Sequence, residues 1–207
     1  MTIPAFGTTS LNAVQTEFGG TNPIGISEYY NADPYKPVPS AGTIKLSNFR
    51  GTSSRTARIT TAFSDDVEPR AGYSAYKGSM YYTEESGLDE SAFGSITKTT
   101  GLITGKTVSA IVVQYPHEFS GIQLAIAQRG SGNSGWSQVN FKMIGGDEDG
   151  AELTLGRTSA TYQSFSGTDP AATGWVWDYI GAHIPQWLQR LYDHMSDGND
   201  VAVKFHT

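Results

Sequence analysis

The chain has 207 residues, 38% of them hydrophobic, which suits one β-rich domain with an appendage or two compact domains and is too apolar for a disordered chain. A formal net charge of -6 without any basic run excludes a dedicated nucleic-acid binder, and zero cysteines exclude disulfides, thiolate catalysis and Cys-ligated metal centres. No apolar run reaches the about 18 residues of a membrane span and the first residues lack a signal-peptide pattern, so synthesis in a cytoplasm is expected.

Residues 1–52 carry short apolar clusters separated by Gly, Pro and Asn, with no stretch long enough for an independent core, and are expected to dock onto a partner. Residues 10–18 predict one or two helical turns: Asn12 with Gln15 reads as a capping-box pair, Leu11, Val14 and Phe18 fall at helical spacing, and Gly19 and Gly20 end the element. An internal echo follows at a separation of twenty residues, with Ile24-Gly25-Ile26-Ser27-Glu28-Tyr29-Tyr30 answered by Ile44-Lys45-Leu46-Ser47-Asn48-Phe49-Arg50. Each copy predicts a short extended segment, then a Ser capping a helical turn that carries an aromatic, a small repeated hook. Between the copies Pro34, Pro37 and Pro39 predict an extended, semi-rigid path. The candidate interface residues are Leu11, Val14, Phe18, Ile24, Ile26, Tyr29, Tyr30, Ile44, Leu46 and Phe49, whose apolar area so short a segment cannot hide by itself.

From residue 56 onward the pattern is strand-like, with runs at 58–63, 80–82, 108–115, 122–128, 136–144 and 151–156 between Gly-, Asp- or Ser-rich turns. Ile122, Leu124 and Ile126 share one face, as do Val139, Phe141 and Met143, while polar residues hold much of the other. The fold class expected is mainly β: a β-sandwich or jelly-roll-like domain over 53–207, preceded by the irregular docking segment 1–52. Pro185 at a first-turn position and Ile184, Trp187, Leu188, Leu191 and Met195 at helical spacing predict one C-terminal amphipathic helix, ended by Gly198 and Asn199 and followed by a closing strand through Val201, Val203 and Phe205.

Motifs suggestive of chemistry along this region fail on context. Gly101-Leu102-Ile103-Thr104-Gly105-Lys106-Thr107 is one residue short of a phosphate-binding loop and precedes a strand, where a helix is needed. Gly130-Ser131-Gly132-Asn133-Ser134-Gly135 matches G-x-G-x-x-G, yet the alternation after it predicts a hairpin loop between antiparallel strands rather than a βαβ turn. The acidic stretch Gly146-Asp147-Glu148-Asp149-Gly150 offers hard oxygens for calcium, but Thr158 stands where an EF-hand needs Glu, and a solvated turn is the simpler reading. His117, His183, His194 and His206 form no close metal pair. Asp65-Asp66, Glu84-Glu85 and Asp89-Glu90 read as surface charge. Trp136, Trp175, Trp177, Trp187, Tyr81 and Tyr82 read as core packing before a sugar-stacking platform. No catalytic residue, cofactor or metal ligand is assigned.

Thr16-Glu17-Phe18-Gly19-Gly20-Thr21-Asn22-Pro23-Ile24, continued by Ile26-Ser27-Glu28-Tyr29-Tyr30, resembles the T-E-F-G-G-x-N-P-I-x-[LI]-S-E-Y-Y segment of structural proteins of tailed bacteriophages. Residues 42–51 resemble the G-x-I-x-[LI]-S-x-F-x-G element that follows it there; Gly25 departs from the polar residue more usual in that family. The resemblance spans about a quarter of the chain. It implies a non-enzymatic virion protein, with the tail favoured over the head, that assembles with other virion structural proteins, itself as a symmetric homo-oligomer, through its first segment. A host-receptor or glycan-binding module of the tail and a head decoration protein are the alternatives.

Overall fold

The computed structural model describes residues 3–20, 25–36, 38–61, 63–64, 76–83, 95–116, 121–129, 132–165, 172–179 and 183–207. Ile24 of the first hook, His117, the glycine and serine at 130 and 131, and the acidic pairs at 65–66, 84–85 and 89–90 lie outside them.

The N-terminal segment begins with α1 (Leu11–Phe18). Ser10 holds the extended backbone that precedes a helix, and its hydroxyl accepts the Ala13 N–H at 3.1 Å, so the capping side chain is Ser10 and not Asn12. Gly19, at φ 80°, closes the helix by donating its N–H to Gln15 O at 2.7 Å. Ile3, Val14, Tyr29, Val38 and Phe49 are buried together, with Leu11, Phe18, Ile26, Ala32, Ile44 and Leu46 packed around them. This cluster is separate from the main core. The expectation of a segment without a core is therefore corrected: pieces too short to bury anything singly bury one another when the chain doubles back.

The main region forms strands β1 (Thr56–Thr60), β2 (Phe63–Ser64), β3 (Tyr76–Thr83), β4 (Ser95–Ile96), β5 (Thr100–Ile103), β6 (Lys106–Pro116), β7 (Gln123–Arg129), β8 (Gln138–Ile144), β9 (Glu152–Gly156), β10 (Thr161–Phe165), β11 (Ala172–Asp178) and β12 (Asp200–His206), with helix α2 (Gln186–Ser196) before the last. The protein is mainly β, in two antiparallel sheets. One is ordered β4-β1-β12-β8-β9; the other is ordered β10-β11-β7-β6-β3-β2, with β5 also on β6. The single run expected at 58–63 is in fact two strands in different sheets. Between them the Thr61 hydroxyl donates to Asn199 O at 3.0 Å.

The period of two explains the layering. Along β8, Val139, Phe141 and Met143 are buried while Gln138, Asn140, Lys142 and Ile144 are only half-buried. Register places Phe141 opposite Val203 of β12 and Leu153 of β9, so one apolar row crosses the sheet. Leu124 and Ile126 of β7, Ile111 and Val113 of β6 and Trp175 and Trp177 of β11 supply the facing row, and the two rows form one core with Leu188, Leu191 and Met195 of α2. Strand β7 departs from simple alternation because Ala125 and Ala127, on its opposite face, are also buried, beside Val176 and Val112.

Candidate functional site

The two echoed hooks fold alike. Ile26–Tyr29 and Leu46–Phe49 are each one turn of 3-10 helix. The serine is not the cap. The polar residue before the aromatic folds back: Glu28 Oε1 accepts the Gly25 N–H at 2.8 Å, and Asn48 Oδ1 accepts the Lys45 N–H at 2.7 Å. Each turn then needs a left-handed residue, supplied by Asn31 at φ 57° and Gly51 at φ 76°. Ala32 and Thr52 donate back to Tyr29 O and Phe49 O at 3.2 and 3.1 Å, so the duplication runs to Ala32 and Thr52, beyond the residues that announce it.

The repeats meet at their aromatics and at their ends. Tyr29 and Phe49 pack edge to face with centroids 5.9 Å apart, and Phe18 of α1 lies 6.3 and 6.4 Å from them. The Tyr29 hydroxyl donates to Gly19 O at 2.8 Å, and a Cβ on Gly20 would sit 2.7 Å from that hydroxyl oxygen, so Gly20 makes room for the tyrosine. Asp33, fully buried, accepts the Tyr35 and Lys36 N–H groups at 2.9 and 3.1 Å through Oδ1 and the Ser53 N–H at 2.8 Å through Oδ2. The segment at 34–36 is thus bent around the Asp33 carboxylate and not extended, because a side chain that satisfies three donors outweighs the local preference of the prolines.

This unit sits on the outer face of the five-stranded sheet. Tyr35 is buried, with Lys142 of β8 and Lys204 of β12 each 5.8 Å from its ring. Burial and the neighbouring Glu152 push the Tyr35 hydroxyl far above its ordinary pKa. Glu17 Oε1 accepts the Ser54 N–H at 2.6 Å, Lys204 Nζ reaches Gly51 O at 3.3 Å, and Lys98 donates to Ser54 O. Burial lowers the Lys98 pKa, against the attraction of Glu17 and Asp33. The seam between segment and sheet is therefore polar and charged, whereas each side has its own apolar core.

Of the candidate interface residues, Val14, Tyr29 and Phe49 have at most 4% of their surface left and are spent inside the unit. Leu11, Phe18, Ile26, Ile44 and Leu46 are partly buried on that cluster, and Tyr30 is half-buried with its hydroxyl bonded to Gly42 O. Ile24 is not described. Phe6, which sequence reasoning passed over, is the large hydrophobic residue that the described chain leaves exposed, at 89%. Its signal was an isolated aromatic among Pro4, Ala5 and Gly7, with no periodic neighbour to pack against.

The remaining motifs have structural roles. Residues 101–107 form the β5–β6 hairpin, with Ile103 opposite Lys106 and Gly105 at φ 69° in the turn. The glycine-rich loop after β7 is a crossover, not a hairpin, since β7 and β8 belong to different sheets. Its carbonyls are turned toward cations: Lys106 donates to Gly132 O, Arg157 to Asn133 O and Arg55 to Gly135 O. That polarity is the reverse of a phosphate-binding loop, whose N–H groups face the anion. The acidic turn at 146–150 is engaged rather than simply solvated. Glu148 makes a forked pair with Arg190 of α2, which holds its carboxyl below the ordinary range, and Asp149 accepts the Gly145 N–H at 2.7 Å.

Trp136, Trp175 and Trp177 are buried together, with Trp136 and Trp175 edge to face at 4.9 Å, while Trp187 is half-buried against Tyr179 at 5.8 Å. The side chains of Tyr81 and Tyr82 are not described. His194 is buried with Nε2 3.1 Å from Asp200 O, and His183 is exposed. No cluster of three metal-ligating side chains occurs among the described residues, and no helix among them is long and apolar enough to cross a membrane. Comparison with family models, curated proteins and solved structures finds no match to this chain.

Proposed function

We propose that this chain is a non-enzymatic structural component of a tailed-phage virion, associated with the tail at its tip, baseplate or a fibre-attachment point. It is made in the host cytoplasm, joins the particle as a symmetric homo-oligomer and contacts other virion proteins through residues 1–52. The two sheets read as a β-sandwich that this segment mounts. The observation that carries the proposal is the paired-hook unit itself: the residues that resemble the phage segment build a preformed body with its own core. That body offers Phe6 to solvent. An aromatic held in water on a rigid support is the kind of side chain that anchors protein interfaces.

The test is incorporation of full-length Phe6→Glu and Tyr30→Glu variants into purified particles. Phe6→Glu should unfold as the wild type does, Tyr30→Glu should lose its Gly42 bond but stay folded, and both should be depleted from particles at least severalfold. Normal incorporation of both, or a wild-type chain missing from particles, rejects the proposal. A glycan- or receptor-binding module is the second reading, supported by the half-buried Trp187–Tyr179 pair. Loss of host-surface binding in Trp187→Ala without unfolding would favour it. A head decoration protein is distinguished by copy number per particle.

A further inference from the structure

The buried apolar residues of the paired-hook unit and those of the sandwich form separate clusters, so neither core depends on the other for its contacts. Tyr35 and Ala202 are buried yet belong to neither cluster. Ala202 lies with Lys204 on the outer face of β12, since Val201, Val203 and Phe205 face the core. Register sets Ala202 beside Arg58 of β1 and Lys142 of β8, and Lys204 beside Thr56 and Asn140. The outer face of the sheet is therefore polar there apart from Ala202. Apolar burial, the main cohesion between packed bodies, is small at this seam.

Hydrogen bonds and charge hold the two bodies together. The Ser53 N–H is bonded to Asp33 Oδ2 of the unit at 2.8 Å, whereas Arg55 O accepts the Phe205 N–H of β12 at 2.9 Å and the Arg55 side chain reaches Thr104 Oγ1 at 2.9 Å. The chain thus passes from one body to the other within Ser53–Arg55. At this crossing Thr56 Oγ1 donates to Ser53 O at 2.9 Å, Glu17 of α1 holds the Ser54 N–H, and Lys98 of the sandwich holds the Ser54 carbonyl. Glu17 and Lys98, from opposite bodies, also attract one another. Elsewhere along the seam Lys142 and Lys204 reach Tyr35 O and Gly51 O at 3.4 and 3.3 Å, bonds that water can replace. Charge pairs near a surface weaken with salt, which apolar cores do not.

We propose that the paired-hook unit is a hinged module: it swings off the five-stranded sheet as a body about Ser53–Arg55, and Glu17 and Lys98, gripping Ser54 from the two sides, latch it closed.

The chain has no cysteine, so a single introduced thiol reports its own exposure. In full-length Ala202→Cys and Thr56→Cys the thiol lies on the sheet face under the docked unit, and in Val203→Cys it lies in the sandwich core; the three native residues are at most 3% exposed. Labelling by methyl methanethiolsulfonate, an uncharged reagent, reads the opening under native conditions. Ala202→Cys and Thr56→Cys should label within a few fold of each other, because one motion uncovers both. Each should label about tenfold or more faster than Val203→Cys, which waits for unfolding of the core. Sodium chloride at about 1 M should speed both seam positions severalfold. Lys98→Gln should speed them about tenfold, the worth of one charge-assisted hydrogen bond. Ile126→Val, which loosens the sandwich core, should speed Val203→Cys severalfold and leave both seam positions unchanged. Equal rates at all three positions, labelling at one seam position without the other, seam rates that follow Ile126→Val, or seam rates that neither salt nor Lys98→Gln raises overturn the proposal.

Discussion

Substitution of Asp33 tests whether one carboxylate ties the two hooks together. It is fully buried and accepts three backbone N–H groups, two of them local, at Tyr35 and Lys36, and one across the duplication, at Ser53. A buried donor left without a partner costs about 1–3 kcal/mol, so Asp33→Ala, which strands three, should cost about 3–9 kcal/mol. Asp33→Asn keeps one oxygen for the two local bonds but turns an NH2 group toward the Ser53 N–H, for about 1.5–3 kcal/mol. Amide hydrogen exchange reads both at the residues concerned. In Asp33→Ala the amides of Tyr35, Lys36 and Ser53 should all exchange about a hundredfold or more faster. In Asp33→Asn only Ser53 should accelerate, by about tenfold or more. Tyr35 and Lys36 exchanging as fast in the Asn variant as in the Ala variant, or no acceleration in either, would refute the reasoning.

Gly135, at φ 107°, would place a Cβ 3.0 Å from both Ile103 Cγ2 and Thr104 O, so Gly135→Ala should lower the urea midpoint by the equivalent of more than about 1 kcal/mol, whereas Gly132→Ala, strained but unobstructed, should cost less. Trp175→Ala removes a fully buried ring packed between Trp136 and Tyr162 and should cost about 3–5 kcal/mol in chemical unfolding, well above the cost of Trp187→Ala at the half-buried edge. His206 has a lowered pKa because burial, and then the charge of Lys204, disfavour the imidazolium. The folded state thus binds fewer protons than the unfolded chain, so the contribution of His206 is complete above about pH 6.5 and lost as pH falls through the lower folded value. His206→Gln should flatten the decline of stability just below that pH, and an unchanged slope would contradict the assignment.

Alternation was the most legible feature of the sequence. Val139, Phe141 and Met143, and likewise Leu124 and Ile126, face the common core because a period of two leaves a strand one apolar side. Strands β10 and β11 were less legible, since Thr161, Gln163 and Ser164 look like loop, and Trp175 and Trp177 lean on β7 rather than on a run of their own. The break after β1 left no mark at all: a change of sheet is set by tertiary partners, here the carbonyl that receives Thr61.

For the candidate site, the twenty-residue echo was visible but its mechanics were not. Serine is a good cap by propensity, yet Glu28 and Asn48, one position after each serine, take that role by reaching back three residues to the Gly25 and Lys45 N–H groups. The motif residues Phe18, Gly19, Gly20, Glu28 and Tyr29 mostly shape the unit from within, so the surface left for a partner falls to residues such as Phe6 that no pattern marks.

Cryo-electron microscopy of purified particles tests the central claim most directly. The account predicts density for this chain at the tail, in several symmetric copies, with residues 1–52 between subunits and Phe6 covered by a neighbour. A chain absent from the particle, or present with the paired-hook unit facing solvent, would contradict it.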